Sequence, residues 1–403
     1  MSEVAIVNFG PAPESPLQRS TYLKRVVRGT IGRIGARVGL AFIGVTAFCA
    51  VFAPLLANSH PWLIRTQAGL RSPLLVHLTW PDVVLLVLPL VSLVLWRLKR
   101  IEARWRWIAF LVAGILATVL SFSFVKPPET VVYERYRQMA AAGQVEWTIH
   151  APIPYSPTDR FRDRPQLNHP LPPWPQSPHA LGTERNGADI ASRMIHASRI
   201  AMSVGFISTG IALVIGIVIG GLMGYFSGIV DIIGMRLVEI FSAIPTLYLL
   251  LAFVAFFPRN LYLMMVIIGL TSWVGYAIFV RAEFLRLRQQ DFVQAAIACG
   301  LPLRSILFKH MLPNGVGPVL VSASFGIASA ILAEATLSFL GLGLVDEPSW
   351  GQLLSQAVGA GGGFYWWIAL FPGMAIFLTV FAYNLIGESL RDAIDPHVSR
   401  LPG

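Results

Sequence analysis

Apolar residues in this chain come in long unbroken runs, and the stretches between them are either short and basic or long and rich in proline. The runs fall at about 38–57, 82–96, 107–125, 200–226, 232–257, 261–281, 315–342 and 365–388. A helix needs about 20 apolar residues to cross the hydrocarbon layer, so each run predicts a membrane-spanning helix. The 82–96 run is short and fits once Trp80 and the stems of the following arginines are counted. Three runs precede the polar segment at 126–198 and five follow it, eight in all. The expected fold is all-α and polytopic, and an even count puts both chain ends on one side.

The polar stretches orient the spans. Lys24, Arg25, Arg28, Arg33 and Arg37 lead into the first run, and Arg97, Lys99, Arg100, Arg104 and Arg106 fill the turn between the second and third. Basic loops stay in the cytoplasm, which places the N-terminus, the 97–106 turn, the 283–313 loop and the C-terminus inside. The basic lead is longer than that of a signal peptide and predicts an uncleaved first span, against the alternative of a removed leader. Trp80, Trp96, Trp105 and Trp107 flank the runs as an aromatic belt does. The 126–198 segment, with its HPLPPWPQSP, shows no periodicity before about Gly187. It is expected to be an extracytoplasmic loop, irregular or partly polyproline.

Composition agrees with this layout. The chain is 55% hydrophobic and 13% charged, with mean hydropathy +0.64, which excludes a soluble domain. Its net charge of +10 would suit nucleic acid, but the excess sits beside the spans and is the charge bias of membrane topology. Cys49 lies in a span and Cys299 in a loop, so no disulfide framework is expected.

One polar stretch, EFLRLRQQDFVQAAIACGLPLRSILFKHMLP at 283–313, is too structured for a plain connector. Its spacing predicts a helix from Glu283 to Cys299, a turn at Gly300, and a short helix from Leu303 to Met311 that Leu312-Pro313 stops. Ile306, Leu307 and Met311 share one face, with Arg304 and Lys309 elsewhere. Such a knob suits a groove on a partner; lying flat on the headgroups is the other reading.

Gln294, Ala295, Ala296, Gly300, His310, Leu312 and Pro313 together resemble the EAA loop of ABC importer permeases. The consensus has Glu at the position of Gln294 and often Ile at that of His310. The resemblance covers about 178–396. It includes PHALGTERNGADIASRMIHASRIA, where Glu184, Ala188 and Ser198 depart from the family signature, and the C-terminal GESLRDAIDP. The short segment 145–158 resembles the Yej-type branch of peptide permeases. The resemblance implies an ABC type I importer core carrying an extra N-terminal helix pair. Its divisions are a cytoplasmic segment 1–36, a first span 37–57, the extra pair 80–125, a loop 126–198, a five-helix core 199–396 and a tail 397–403. It implies that Gln294, Ala295, Ala296, Gly300, Arg304, His310, Leu312 and Pro313 couple to a cytoplasmic ATPase.

Further partners implied are a related B-type permease, a second ATPase and an extracytoplasmic substrate-binding protein. ATP and Mg belong to the ATPases, since the chain has no G-x-x-x-x-G-K-[ST] of its own, and no H-E-x-x-H or Cys/His cluster suggests metal or bond chemistry. The expected function is import of di- and oligopeptides through a bacterial inner membrane. Nickel or another peptide-like solute is the alternative cargo, and a secondary transporter the alternative class. Pathway or gating candidates are Pro245, which breaks a span, Glu334, deep in another, and Glu239 beside Arg236. For Pro245 a packing kink, and for Glu334 and Glu239 structural bonding, stand as alternatives.

Overall fold

The computed structural model describes residues 26–394 apart from 68, 99–101, 129–130, 162, 164–168, 345–346 and 359–362. Most of the 1–36 segment, Lys99, Arg100 and the 397–403 tail therefore lie outside the described residues. The long helices are α1 (Ile34–Leu56), α2 (Trp80–Arg97), α3 (Ala103–Phe124), and, after a short polar α4 (Glu134–Ala141), α5 (Ile190–Phe226). Then come α6 (Gly228–Ala243), α7 (Thr246–Phe256), α8 (Leu261–Arg288), the short α9 (Asp291–Ala298), α10 (Leu312–Phe339), the short α11 (Trp350–Ser355) and α12 (Trp366–Ile394).

Two ends of the bundle can be told apart. At one, Arg33 before α1 pairs with Asp392 near the end of α12, and Ile394 packs beside Gly317 at the start of α10. At the other, His196 of α5 bonds the Ala57 carbonyl at 3.0 Å and the Trp350 indole donates to the Met194 carbonyl at 3.2 Å. Among the described residues seven helices are long and apolar enough to cross a membrane, and α6 with α7, counted as one span bent by 81°, makes an eighth. That pair crosses rather than turning back. Asp231 near the start of α6 pairs with Arg281 near the end of α8, at 2.6 Å through one guanidinium nitrogen. Phe257, just past α7, lies with Asn260 at the start of α8 and with Leu342, at the other end. Eight crossings return the described chain to the end where it began.

The tightest contact is between α5 and α8. A Cβ on Gly216, Gly220 or Gly224 would run into the backbone of α8 at Trp273, Ala277 and Arg281. In lipid, helices gain no hydrophobic drive from meeting, so close approach over small residues supplies the attraction. By contrast α2 buries only Asp82 and α3 only Ser121. Their hairpin is tied to the bundle by an ion pair from Asp82 to Arg199 of α5, which also donates to the Ala50 carbonyl.

The expected all-α membrane fold holds, with one small sheet added to it, in which β1 (Leu63–Thr66) pairs antiparallel with β2 (Gly69–Arg71) and with β3 (Val145–Ile149). One expectation changes: the 126–198 segment is not simply irregular, since it supplies α4 and β3. Its ordering partner lies far away in sequence, in the 57–79 connection, where no local periodicity announces it. Arg137 of α4 bonds Asp159 and Asp163 at 2.6 Å each, and Ser59 donates to Asp159 at 2.7 Å. These bonds and the burial of its guanidinium act in opposite senses, and the bonds prevail to hold the Arg137 pKa above the ordinary arginine value.

Candidate functional site

The 283–313 stretch folds as a knob with different internal breaks from those expected. Helix α8 runs on to Arg288, the chain kinks at Gln289-Gln290, and α9 starts afresh, so Glu283–Cys299 is two helices. The Gln294 side-chain amide donates to the Arg288 carbonyl at 2.8 Å across that kink. Gly300 has φ +69° and follows α9, where the Leu301 amide bonds back to the Ala296 carbonyl. A Cβ there would meet nothing, so glycine is needed for its backbone angle alone.

Pro313 does not stop the second helix. A turn at Leu303–Ser305 passes into π-helix at Ile306–Met311 and on into α10, giving one continuous helix from Leu303 to Phe339. Proline lacks the amide that would bond back, and its ring meets the carbonyl of the preceding turn. The wider i→i+5 pattern, as in the Leu312 amide to the Leu307 carbonyl, eases that clash.

The apolar stripe also faces otherwise. Ile306 and Met311 are buried with Val293 and Ala296 against Phe284, Leu287 and Val319 of the chain itself. Of the candidates, Gln294, Ala295, Gly300, Arg304 and Pro313 are exposed, His310 and Leu312 are half-buried, and Ala296 is buried. The outward apolar surface is Ile297, Leu301, Leu303 and Phe308, the last 57% exposed. Helical spacing that puts Ile306, Leu307 and Met311 on one face already leaves Phe308 off it; the sequence reading passes over these four because it assigns the partner contact to the stripe, which the chain itself buries.

Pro245 does break its span. Ile244 before it takes an extended ψ of 121°, as a residue before proline does, and α7 starts at Thr246. Glu334 is buried and accepts from Ser338 at 2.6 Å and from Ser349, the cap of α11, at 2.7 Å. Glu239 pairs with Arg236 at 2.5 Å on an exposed face.

A cavity of about 360 Å³ opens between α5, α8 and α10. Ser208, Thr209, Ser272, Tyr276, Ser322 and Ser329 line it, with no carboxylate, amine, guanidinium or imidazole. Tyr276 reaches across so closely that a methyl group on Gly326 would collide with its hydroxyl. None of these residues was singled out from sequence. The available signal was hydroxyl-bearing residues at helical spacing, 272 with 276 and 322 with 329.

Residues 216–400 match the family model for the "Binding-protein-dependent transport system inner membrane component". The oligopeptide transport system permease protein OppC of Haemophilus influenzae is 41% identical over 220 residues, covering 54% of this chain and 70% of that one. The chain belongs to this family. The inner membrane ABC transporter permease protein YejE of Escherichia coli is 36% identical over 253 residues, 62% of this chain and 72% of its own. The glutathione transport system permease protein GsiD of Pectobacterium atrosepticum is 37% identical over 249 residues, 60% and 79%. Among solved structures, an inward-facing form of the MetNI methionine ABC transporter aligns at TM-score 0.42 and 18% identity, over 50% of this chain and 97% of that one. The permease is thus a multi-pass inner-membrane subunit of an ABC importer, a non-catalytic component that works with ATPase and binding-protein partners.

Proposed function

We propose that this permease forms half of an import pathway for dipeptides and oligopeptides, completed by a related B-type permease. Two cytoplasmic ATPases hold ATP and Mg, and an extracytoplasmic binding protein delivers cargo. The basic end of the bundle faces the cytoplasm, so both chain ends, the 97–106 turn and the knob lie inside. Ile297, Leu301, Leu303 and Phe308 seat in one ATPase, with Gln294, Ala295 and Arg304 at the rim. Closure of the ATPases moves the knob, and the continuous Leu303–Phe339 helix carries that movement to Ser322 and Ser329 at the cavity wall. Pro245 gives the neighbouring span a bend at which to yield.

The observation that carries the peptide reading is the cavity lining. Hydroxyls bond a peptide backbone whatever its side chains, and a wall without fixed charge does not sort cargo by charge. Relatives named for oligopeptide, dipeptide and glutathione transport support it. The test is uptake of a labelled oligopeptide by proteoliposomes holding the whole complex, with unlabelled competitors. Acidic, basic and neutral peptides should all compete, and free Ni²⁺ should not. Competition by Ni²⁺ and by no peptide would overturn the reading.

A further inference from the structure

The α2–α3 hairpin lies outside residues 216–400 that match the family model, and no part of the proposed transport cycle uses it. At its turn end the two helices splay around a cavity of about 360 Å³. Trp96, Trp107 and Phe110 form its apolar walls, and Ser92 and Arg106 supply its polar groups. The tryptophans are 61% and 68% exposed, where aromatic rings of a span meet the headgroup layer.

Charge decides what fits. Arg104 pairs with Glu102 at 2.7 Å and stacks on Trp105, so the turn's one described carboxylate is occupied outside the cavity. Arg106 is half-buried in the cavity wall and makes no ion pair among the described residues. Arg97, next to the lining Trp96 on α2, is a second exposed cation. Leu93, Val94, Leu111 and Ile115 are exposed on the same hairpin, a surface suited to acyl chains.

We propose that the turn end of this hairpin binds the phosphate of an anionic membrane phospholipid. The phosphate accepts from the Arg106 guanidinium, Ser92 gives a further donor, and the aromatic walls exclude water from the contact. The hairpin is held to the permease core at its far end through Asp82 and Arg199, so a bound lipid is a second anchor for an otherwise unburied pair.

The test is native mass spectrometry of the detergent-purified transporter, titrated with phosphatidylglycerol and, separately, phosphatidylcholine. The wild type should prefer phosphatidylglycerol. Arg106→Gln should lower its retention about fivefold, the factor given by about 1 kcal/mol per basic side chain at an anionic surface. Arg104→Gln, which removes the paired arginine, should change retention less than twofold. Ser92→Phe, which fills the cavity at unchanged charge, should reproduce the Arg106→Gln loss and serves if that variant fails to assemble. Equal retention of the two lipids by the wild type, equal losses at Arg104 and Arg106, or wild-type retention by Ser92→Phe would each overturn the site.

Discussion

Gly300 adopts φ +69° in a place where a side chain would meet nothing. Its replacement is therefore a test of backbone angle alone. Asn tolerates this region and a β-branched residue does not. Gly300→Asn should keep most ATPase stimulation by loaded binding protein, and Gly300→Val should lose most of it with the complex assembled. Equal stimulation in the two variants would show that the angle is not needed. The need for glycine was readable from the sequence, because Gly-x-Pro after an alanine-rich helix is a strong stop signal. The inward packing of Ile306 and Met311 was not, because an apolar stripe does not say whether the chain itself or a partner covers it.

His60 makes a second point at this scale. It is buried between the 57–79 connection and α4, stacked 3.8 Å from His77 and 5.5 Å from Tyr133, with Tyr136 at its edge and no hydrogen-bond partner on either ring nitrogen among the described residues. Burial, and then the neighbouring His77, push its pKa down to about 4, against a smaller upward pull from Asp159. The unfolded chain binds that proton near pH 6.5, so between about 6.5 and 4 the unfolded state holds more protons. The stabilisation is complete above the unfolded value and is lost as pH falls through the window, roughly 3 kcal/mol in total. Hydrogen-exchange protection factors at β1 and β3, taken relative to the intrinsic rate at each pH, should fall on acidification across that range. His60→Phe keeps the stacked ring without the charge and should flatten the response; an unchanged response in that variant would clear His60 of the effect.

At the scale of elements, the hairpin of α2 and α3 is the clearest departure from the core. The absence of ionisable residues between Val83 and Trp96 and between Ile108 and Val125 predicts a peripheral pair, and of its residues only Asp82 and Ser121 are fully buried. The sequence did not disclose the tie to Arg199, since Asp82 looks like an ordinary helix-capping acid and its partner is over a hundred positions away. That tie decides how the pair can be deleted. Removing residues 82–125 alone strands a largely buried arginine, which costs about 3–5 kcal/mol. Deletion combined with Arg199→Leu should insert, bind ATPases and retain uptake within about tenfold of wild type, an allowance of roughly 1.4 kcal/mol in the barrier. Complete loss of uptake from an intact complex would make the hairpin part of the pathway. The sheet of β1, β2 and β3 was illegible for a related reason. Its strands are short, and β1 and β3 are joined only through a pairing that spans two membrane crossings.

For the whole molecule, the apolar runs carried most of the architecture, and eight crossings follow both from them and from the packed ends of the helices. Lipid removes the alternatives a soluble chain would have, because every spanning segment must satisfy its own backbone. The cavity was harder to see, because hydroxyl side chains in a span can bond back to their own helix as readily as they line a pathway. The central claim is that partner ATPases drive this permease through the knob between α8 and α10. The most direct measurement is ATP-driven uptake of labelled oligopeptide per assembled complex in proteoliposomes, wild type against Phe308→Asp. Losing the burial of one large apolar side chain costs about 1.5–3 kcal/mol, so uptake should require ATP and fall at least about tenfold in the variant. Wild-type uptake by Phe308→Asp, or uptake that proceeds without ATP, would contradict the account.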